Sequence, residues 1–417
     1  MARVALRKNL ARAVLSGHPW LYRDALRAPP ALPDGALVLV TTGDGRPLGR
    51  GFWTASTPIA VRMLTTDPTD DIALLVRHRL EAALARRLGF LELARTNAFR
   101  WVHGEADGLP GIHLDLYAGL GSVRFDGPGA RAFYRDFAPV AVEVAAAAAA
   151  APPLSMRALI ERRSGGRSGA RNGEPRARAD AQTDGAATAL VGELPRGEVE
   201  VRENDLVFGV DLVLGQKGGL FLDQRDNRQR VRELSAGRRV LNLFGYTGGF
   251  SVYAASGGAA ATTTVDISGG AILAGRENFR RNGLPSAGTA AARFVAGDVF
   301  EFLAGATRDH DRDRFDLVVS DPPSFAPSRR ALPEALRAYV RLHRLCAEVL
   351  EPGGLLCAAS CSSHVGEGAF IATITAGCAA AGRRFELLEV RGAGADHPVS
   401  ESFPEGRYLK FVVGVVT

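Results

Sequence analysis

Residues 240–255 read VLNLFGYTGGFSVYAA, and a change of pattern inside them decides the fold. The run 240–244 is apolar and has the length of a buried strand. Gly245, Gly248 and Gly249 interrupt it, and FSVYAAS (250–256) resumes with the character of a helix. A strand that turns through glycines into a helix lets a ligand approach the helix N-terminus closely. The spacing G-Y-T-G-G departs from G-x-G-x-x-G, which weakens a dinucleotide reading and argues against a nicotinamide-dependent oxidoreductase. Asp266 ends the next apolar run, TTTVDI (262–267), 21 residues beyond Gly245. Doubly wound nucleotide-binding folds place there the acid that accepts hydrogen bonds from a ribose diol.

Outward from this unit, strands and helices alternate. Apolar runs recur at RFVAGDV (293–299), FDLVVSDPP (315–323) and GLLCAASCSS (354–363). Helical windows separate them at 269–282, 331–350 and 366–381. Such alternation predicts a parallel sheet covered on both faces. Two further strands, RRFELLEV (383–390) and RYLKFVVGVV (407–416), are joined by a loop too short for a crossover helix, so an antiparallel hairpin should close the sheet. Asp298, after the third strand, could hold an adenine amino group or cap the following helix, and the two roles are compatible.

Ligands of open α/β sheets bind at the carboxyl ends of the strands. There the fourth strand ends in Asp321-Pro322-Pro323-Ser324, a stiff bend that fixes a carboxylate and carbonyls as acceptors for an amino group on a flat base. Phe325 offers a stacking face. The fifth strand ends in Cys361, among Ser360, Ser362, Ser363 and His364, polar groups that could stabilise a thiolate. Cys357, Cys346 and Cys378 read as small core residues. Cys357-x-x-x-Cys361 has no paired second cluster, so no zinc site is expected.

The rest of the 417-residue chain implies more than one domain. Residues 1–65 hold nine basic side chains and three acidic ones, a net +6 equal to the formal charge of the whole protein. A basic appendage on a neutral body suits a polyanion. This segment reads as a small β-rich barrel, with a hairpin turning at Gly43-Asp44-Gly45 and the aromatic residues Trp20 and Tyr22 near its entrance. DDIALLVRHRLEAALARRLGF (70–90) predicts a helix capped by Asp70 or Asp71, with Leu74, Leu75, Val76, Leu80, Ala83 and Leu84 on one stripe. Six arginines among glycines at 162–178 predict a mobile insertion at about 164–197. No uncharged apolar run reaches 18 residues, the N-terminus has no apolar signal core, and four cysteines cannot form a disulfide scaffold, so a reducing cytoplasm is expected and a membrane partner is not.

HPWLYRDAL (18–26), GEADGLPGIHLD (104–115), LGQKGGLFLDQRDNR (214–228), NLFGYTGGFSVYAA (242–255), SDPPSFAPS (320–328), ASCSSH (359–364) and HPVSESFPEGRYLKFVV (397–413) together resemble the bacterial large-subunit (23S) rRNA cytosine-5 methyltransferases. The resemblance covers nearly the whole chain outside the insertion. It implies a PUA-like RNA-binding domain (1–66), a central α+β domain (67–197) and a Rossmann-like class I methyltransferase domain (198–417) that uses S-adenosyl-L-methionine. Position by position, it implies that Phe221 and Arg225 border the cofactor pocket. Phe244, Gly245, Tyr246, Gly248 and Gly249 would hold the methionine end, Asp266 with Ile267 and Ser268 the ribose, and Asp298 with Val299 the adenine. Asp321 would border the cofactor and bind the cytosine amino group, and Cys361 would be the nucleophile. Another group of cytosine-5 RNA methyltransferases carries a second cysteine after the Asp-Pro of the fourth strand. Here Ser324 stands in that place, so release of an adduct would rely on another group. The partner implied is single-stranded or partly unfolded large-subunit rRNA, with the choice between monomer and homodimer left open. The alternatives are a related methyltransferase acting on an rRNA guanine without covalent catalysis, and a non-catalytic RNA-binding protein of the same fold.

Overall fold

Alternating apolar positions in the first 65 residues build five strands, β1 (Ala2–Ala5), β2 (Trp20–Tyr22), β3 (Leu37–Thr41), β4 (Pro47–Trp53) and β5 (Ile59–Thr65), with the short helix α1 (Ala11–Leu15) between the first two. The computed structural model describes residues 1–27, 31–150, 152–162, 187–215, 219–285, 288–307, 314–326 and 328–417. The strand order is β1-β3-β4-β5-β2, and a bridge between Leu6 and Leu26 joins the continuations of the two edge strands. The β3–β4 hairpin turns where the glycines predicted it, with Gly45 at a φ of +95°. Val38, Val40, Leu48, Trp53 and Val61 fill the interior.

Next comes α2 (Ile72–Leu88), capped by Asp71, whose carboxylate accepts from the amides of Ala73 and Leu74. Its buried face is Ile72, Val76, Leu80, Ala83, Leu84 and Arg87. Leu74, expected on that stripe, is 49% exposed. Two residues from both Ile72 and Val76, it lies about 200° round the helix from each. Arg87 is buried because both its terminal nitrogens meet the Asp107 carboxylate, at 2.6 and 2.7 Å. A second sheet follows, from β6 (Ala98–His103), β7 (Ile112–Tyr117), β8 (Leu120–Phe125), β9 (Ala158–Glu161) and β10 (Thr188–Val191) in the order β10-β9-β8-β7-β6. Helices α3 (Pro128–Tyr134) and α4 (Ala138–Ala147) lie between β8 and β9. Residues 164–186 of the expected insertion fall outside the described residues. Residues 188–191, also assigned to it, pair with β9 as an edge strand. These parts, together with Val210–Gly219 and Asp396–Gly406, form one compact unit.

The other unit comprises Leu206–Gly209, Leu220–Ala395 and Arg407–Thr417. The chain passes from one to the other through β11 (Val199–Glu203) and β12 (Leu206–Val210). Beyond them, α5 (Arg225–Leu234) leads into β13 (Arg239–Leu243), α6 (Gly249–Ser256), β14 (Ala261–Asp266), α7 (Gly269–Arg281), β15 (Ala292–Ala296), α8 (Val299–Ala306), β16 (Phe315–Ser320), α9 (Leu332–Val349), β17 (Leu350–Ser360), α10 (Glu367–Ala380), β18 (Phe385–Arg391) and β19 (Lys410–Val416). The sheet order is β15-β14-β13-β16-β17-β19-β18, parallel through β17. The last strand inserts antiparallel between β17 and β18, so the expected hairpin is present. One apolar layer contains Leu241, Leu243, Val318, Leu356 and Tyr339, and the other Val240, Leu317, Val319, Cys357 and Val413. The strand order reverses between β13 and β16, the crevice where open α/β sheets take ligands.

Candidate active site

The loop after β13 is held in an uncommon conformation. Phe244 and Tyr246 have φ of 56° and 47°, a left-handed region that side chains normally avoid. Gly245, between them, donates to the Val265 carbonyl at 2.9 Å. A Cβ on Gly245 would stand 2.6 Å from the Thr264 methyl, so the loop can seat against β14 only with glycine there. Beneath it, the Asn242 amide donates to Ser251 at 2.9 Å, and the Ser251 hydroxyl meets that of Thr264 at 2.7 Å. The Asn278 amide donates to the Thr247 carbonyl at 3.0 Å. Buried hydrogen bonds thus fix a strained turn in advance of any ligand.

Asp266, at the end of β14, is half-buried and locked from two sides. Its carboxylate oxygens accept from the amides of Tyr246 at 2.9 Å and Ser268 at 2.8 Å. A carboxylate has about four lone-pair positions, so both oxygens retain capacity towards a diol. The ring of Phe221 stands edge-on to Tyr246, centroids 5.6 Å apart. Arg225 is buried, with Nε donating to Asp226 at 3.2 Å. Ile267 is 77% exposed, and the Ser268 side chain caps α7 by accepting from the Ala271 amide. Asp298 caps α8, accepting from the amides of Phe300 at 2.8 Å and Glu301 at 3.0 Å through one oxygen. Val299 is 3% exposed and packs in the apolar core, so only its backbone is available to the crevice.

On the next strand, Asp321 accepts from the Gln224 side-chain amide at 2.9 Å. The Gln224 oxygen in turn accepts from Asn227 at 2.7 Å, and Asn227 also donates to the Gly392 carbonyl at 3.0 Å. Sequence reasoning missed Gln224 and Asn227, although both lie in the quoted LFLDQRDNR run; nothing local tells which of its polar residues turns inward. Phe325 packs against Tyr339, centroids 4.9 Å apart, so the face it offers a base is partly taken.

β17 ends at Ser360, and Cys361 is the next residue, partly exposed where the other three cysteines are buried. Burial pushes the thiols of Cys357 up to about 12 and Cys378 to about 11, and raises that of Cys346 further. Cys361 is set among groups from distant segments. The Tyr339 hydroxyl meets those of Ser360 at 2.9 Å and Ser362 at 3.3 Å, and the Ser324 hydroxyl lies 3.0 Å from that of Ser362. Burial raises the Tyr339 phenol, which keeps it neutral. Lys410, the first residue of β19, donates from Nζ to the carbonyls of Ser362 at 2.7 Å and Tyr408 at 2.8 Å. His364 is exposed. Asp266, the glycine loop, Asp321 and Cys361 therefore follow one another along neighbouring strands at one sheet edge, about 5 Å per strand step.

Residues 174–396 match the S-adenosylmethionine-dependent methyltransferase family, and residues 4–66 match the PUA-like domain family. The chain belongs to the S-adenosylmethionine-dependent methyltransferases. Among curated relatives of this methyltransferase is "Ribosomal RNA large subunit methyltransferase I" of Aeromonas hydrophila, 35% identical over 99% of this chain and 98% of that one. "Ribosomal RNA large subunit methyltransferase" of Deinococcus radiodurans is 36% identical over 98% of this chain and 96% of that one. A solved structure described as a SAM-dependent methyltransferase from Streptococcus mutans shares the fold, with a TM-score of 0.79, 22% identity and both chains covered in full. The cofactor is S-adenosylmethionine, which supplies an electrophilic methyl group on a sulfonium. The residues present fit it: a preset loop at a strand-to-helix turn, and a carboxylate with accepting capacity at the end of the adjoining strand.

Proposed function

We propose that this methyltransferase places a methyl group on carbon 5 of a cytosine in large-subunit rRNA, with Cys361 as covalent nucleophile. The observation that carries it is that Cys361 and Asp321 both stand at the carboxyl ends of two neighbouring parallel strands, next to the strand that carries the glycine loop. The relatives' printed names supply the RNA class. Carbon 5 of cytosine is a poor nucleophile. Attack of the Cys361 thiolate on carbon 6 forms a C–S bond and makes carbon 5 electron-rich, so that it can take the methyl group. Loss of the carbon-5 proton to a base then returns the electron pair, breaks the C–S bond and frees the thiolate. Asp321, oriented by Gln224, accepts from the cytosine amino group and holds the ring.

The loop at 244–249 takes the methionine end of the cofactor, Asp266 the ribose, and Asp298 with the Val299 backbone the adenine, while Phe221 and Arg225 border the pocket. Ile267, being exposed, contributes through its main chain. Residues 1–66 act as the RNA-binding part, their excess positive charge neutralising phosphates. The target cytosine must be unstacked to reach the sheet edge, which favours single-stranded or partly unfolded rRNA. The compartment is the cytoplasm, where reduced Cys361 is maintained. The test is transfer from labelled S-adenosylmethionine to unmodified large-subunit rRNA by wild type and Cys361→Ala in parallel, with nucleoside analysis. The wild type should yield 5-methylcytosine, and the variant none while still binding cofactor. A methylated guanine, or an undiminished variant, overturns the mechanism.

A further inference from the structure

We infer that Lys410 is a positioning residue for catalysis: its buried ammonium stabilises the Cys361 thiolate. The inference rests on Cys361 being the nucleophile. Lys410 faces Ser360 across the β17–β19 ladder, so the two side chains leave the sheet on one face, one residue before Cys361. Its side chain is almost wholly buried, and Nζ spends two of its three N–H groups on neutral acceptors, the Ser362 and Tyr408 carbonyls. Among the described residues no carboxylate comes within ion-pair distance of it. A buried ammonium without an anion is costly, and such lysines either shed the proton or face a negative charge.

The charges around it point to the second outcome. Burial lowers the Lys410 ammonium below the ordinary lysine range; Cys361 is the foremost charge opposing that, and Glu367, at the start of α10, the next. Tyr339 from α9 and Asp321 after β16 also face this corner, and both work against a thiolate when ionised. His364 and Glu367 follow Cys361 along the chain. A cation on the β19 side offsets these acidic groups at the sulfur.

The residue type adds an independent observation. Three of the 51 basic residues are lysines, Lys8, Lys217 and Lys410, so arginine serves nearly every other cationic position. A compact ammonium suits a closed site with two carbonyls, whereas a planar guanidinium brings five donors and needs more room. Lys410 keeps its proton throughout. It favours the thiolate before attack on carbon 6, and favours it again when the C–S bond breaks and the electron pair returns to sulfur.

Alkylation of Cys361 by iodoacetamide, followed in the full chain by mass spectrometry of its peptide across a pH series, reads this role directly. Lys410→Met should slow alkylation at neutral pH about tenfold, the equivalent of one pH unit in thiolate population, and move the midpoint upward. Lys410→Arg, which keeps the charge but fits the closed site less well, should recover part of the wild-type profile. Calorimetry should give both variants the wild-type affinity for S-adenosylmethionine. A Lys410→Met profile that overlays the wild type overturns the inference. So does a wild-type midpoint at or above the ordinary thiol value of about 8.5, which decides the matter even if the variant does not fold. Retained 5-methylcytosine formation by Cys361→Ala would instead remove the nucleophile and leave the alkylation result standing.

Discussion

Asp266 and Cys361 both sit at the carboxyl edge of one sheet, yet they are held by different means. Asp266 is locked by amides 20 residues before it and two residues after it, Tyr246 and Ser268, within one strand-loop-helix-strand unit. The surroundings of Cys361 are gathered from Ser324, Tyr339 and Lys410, on three separate segments. The Asp266 side is thus a local structure, set by backbone conformation and glycine. The Cys361 side is an assembly of side chains that exists only once β16, α9, β17 and β19 are packed together. A local site should tolerate changes elsewhere in the sheet, and an assembled one should not.

The sharpest division between the two comes from Cys361→Ala. It should reduce methyl transfer by about a thousandfold or more, with cofactor affinity within about twofold of wild type, read by single-turnover transfer and calorimetry. Loss of cofactor binding in this variant would mean that the two sides are not separate.

Acid should reach the assembled side through His343, which is stacked on Tyr339 with centroids 5.9 Å apart. Burial lowers His343 to about 4. Because the folded value lies below the ordinary value of about 6.5, the neutral ring contributes stability that is complete above about pH 6.5. That contribution drains away as the pH falls towards 4, by at most about 3 kcal/mol. Thermal unfolding across this window should show a steeper decline for wild type than for His343→Gln, and equal slopes would remove the histidine from the account.

Asp266→Asn tests the local side. Asparagine has one accepting oxygen for two amides, so one N–H of the loop would meet an NH2 group. Cofactor affinity should fall about 30-fold, the loss of one charge-assisted hydrogen bond of about 2 kcal/mol, while turnover at saturating cofactor changes little. A large fall in saturated turnover would blur the comparison. The smallest effect is expected from Gln224→Ala, which removes one donor to Asp321 without touching the loop. Turnover should drop about tenfold or less with cofactor affinity unchanged, since a carboxylate that must be oriented afresh loses about 1 kcal/mol of positioning.

How much was legible follows the same line. Strand and helix periodicity within residues 240–416 predicted the doubly wound sheet and its terminal hairpin, because buried parallel strands are continuous apolar runs. The Asp71 cap and the Gly43–Gly45 turn were readable for the same reason, each being decided within about four residues. Leu74 was misplaced because a leucine on a helix declares its apolarity but not the direction of the core. Gln224, Asn227 and Lys410 left no local sign of their roles. The rarity of lysine in an arginine-rich chain was the one signal that could have singled out Lys410.

By itself, the sequence determined the order of the elements, the glycine turn after β13, and which strand ends carry Asp266, Asp321 and Cys361. These depend on hydrophobic period and on backbone preferences that act between near neighbours. Only the tertiary structure decided that Gln224 donates to Asp321, and that a lysine 49 residues after Cys361 lies buried against the Ser362 carbonyl. Those outcomes turn on which side chains from distant segments share a desolvated corner. There the cost of an unpaired polar group, not local propensity, selects the partners.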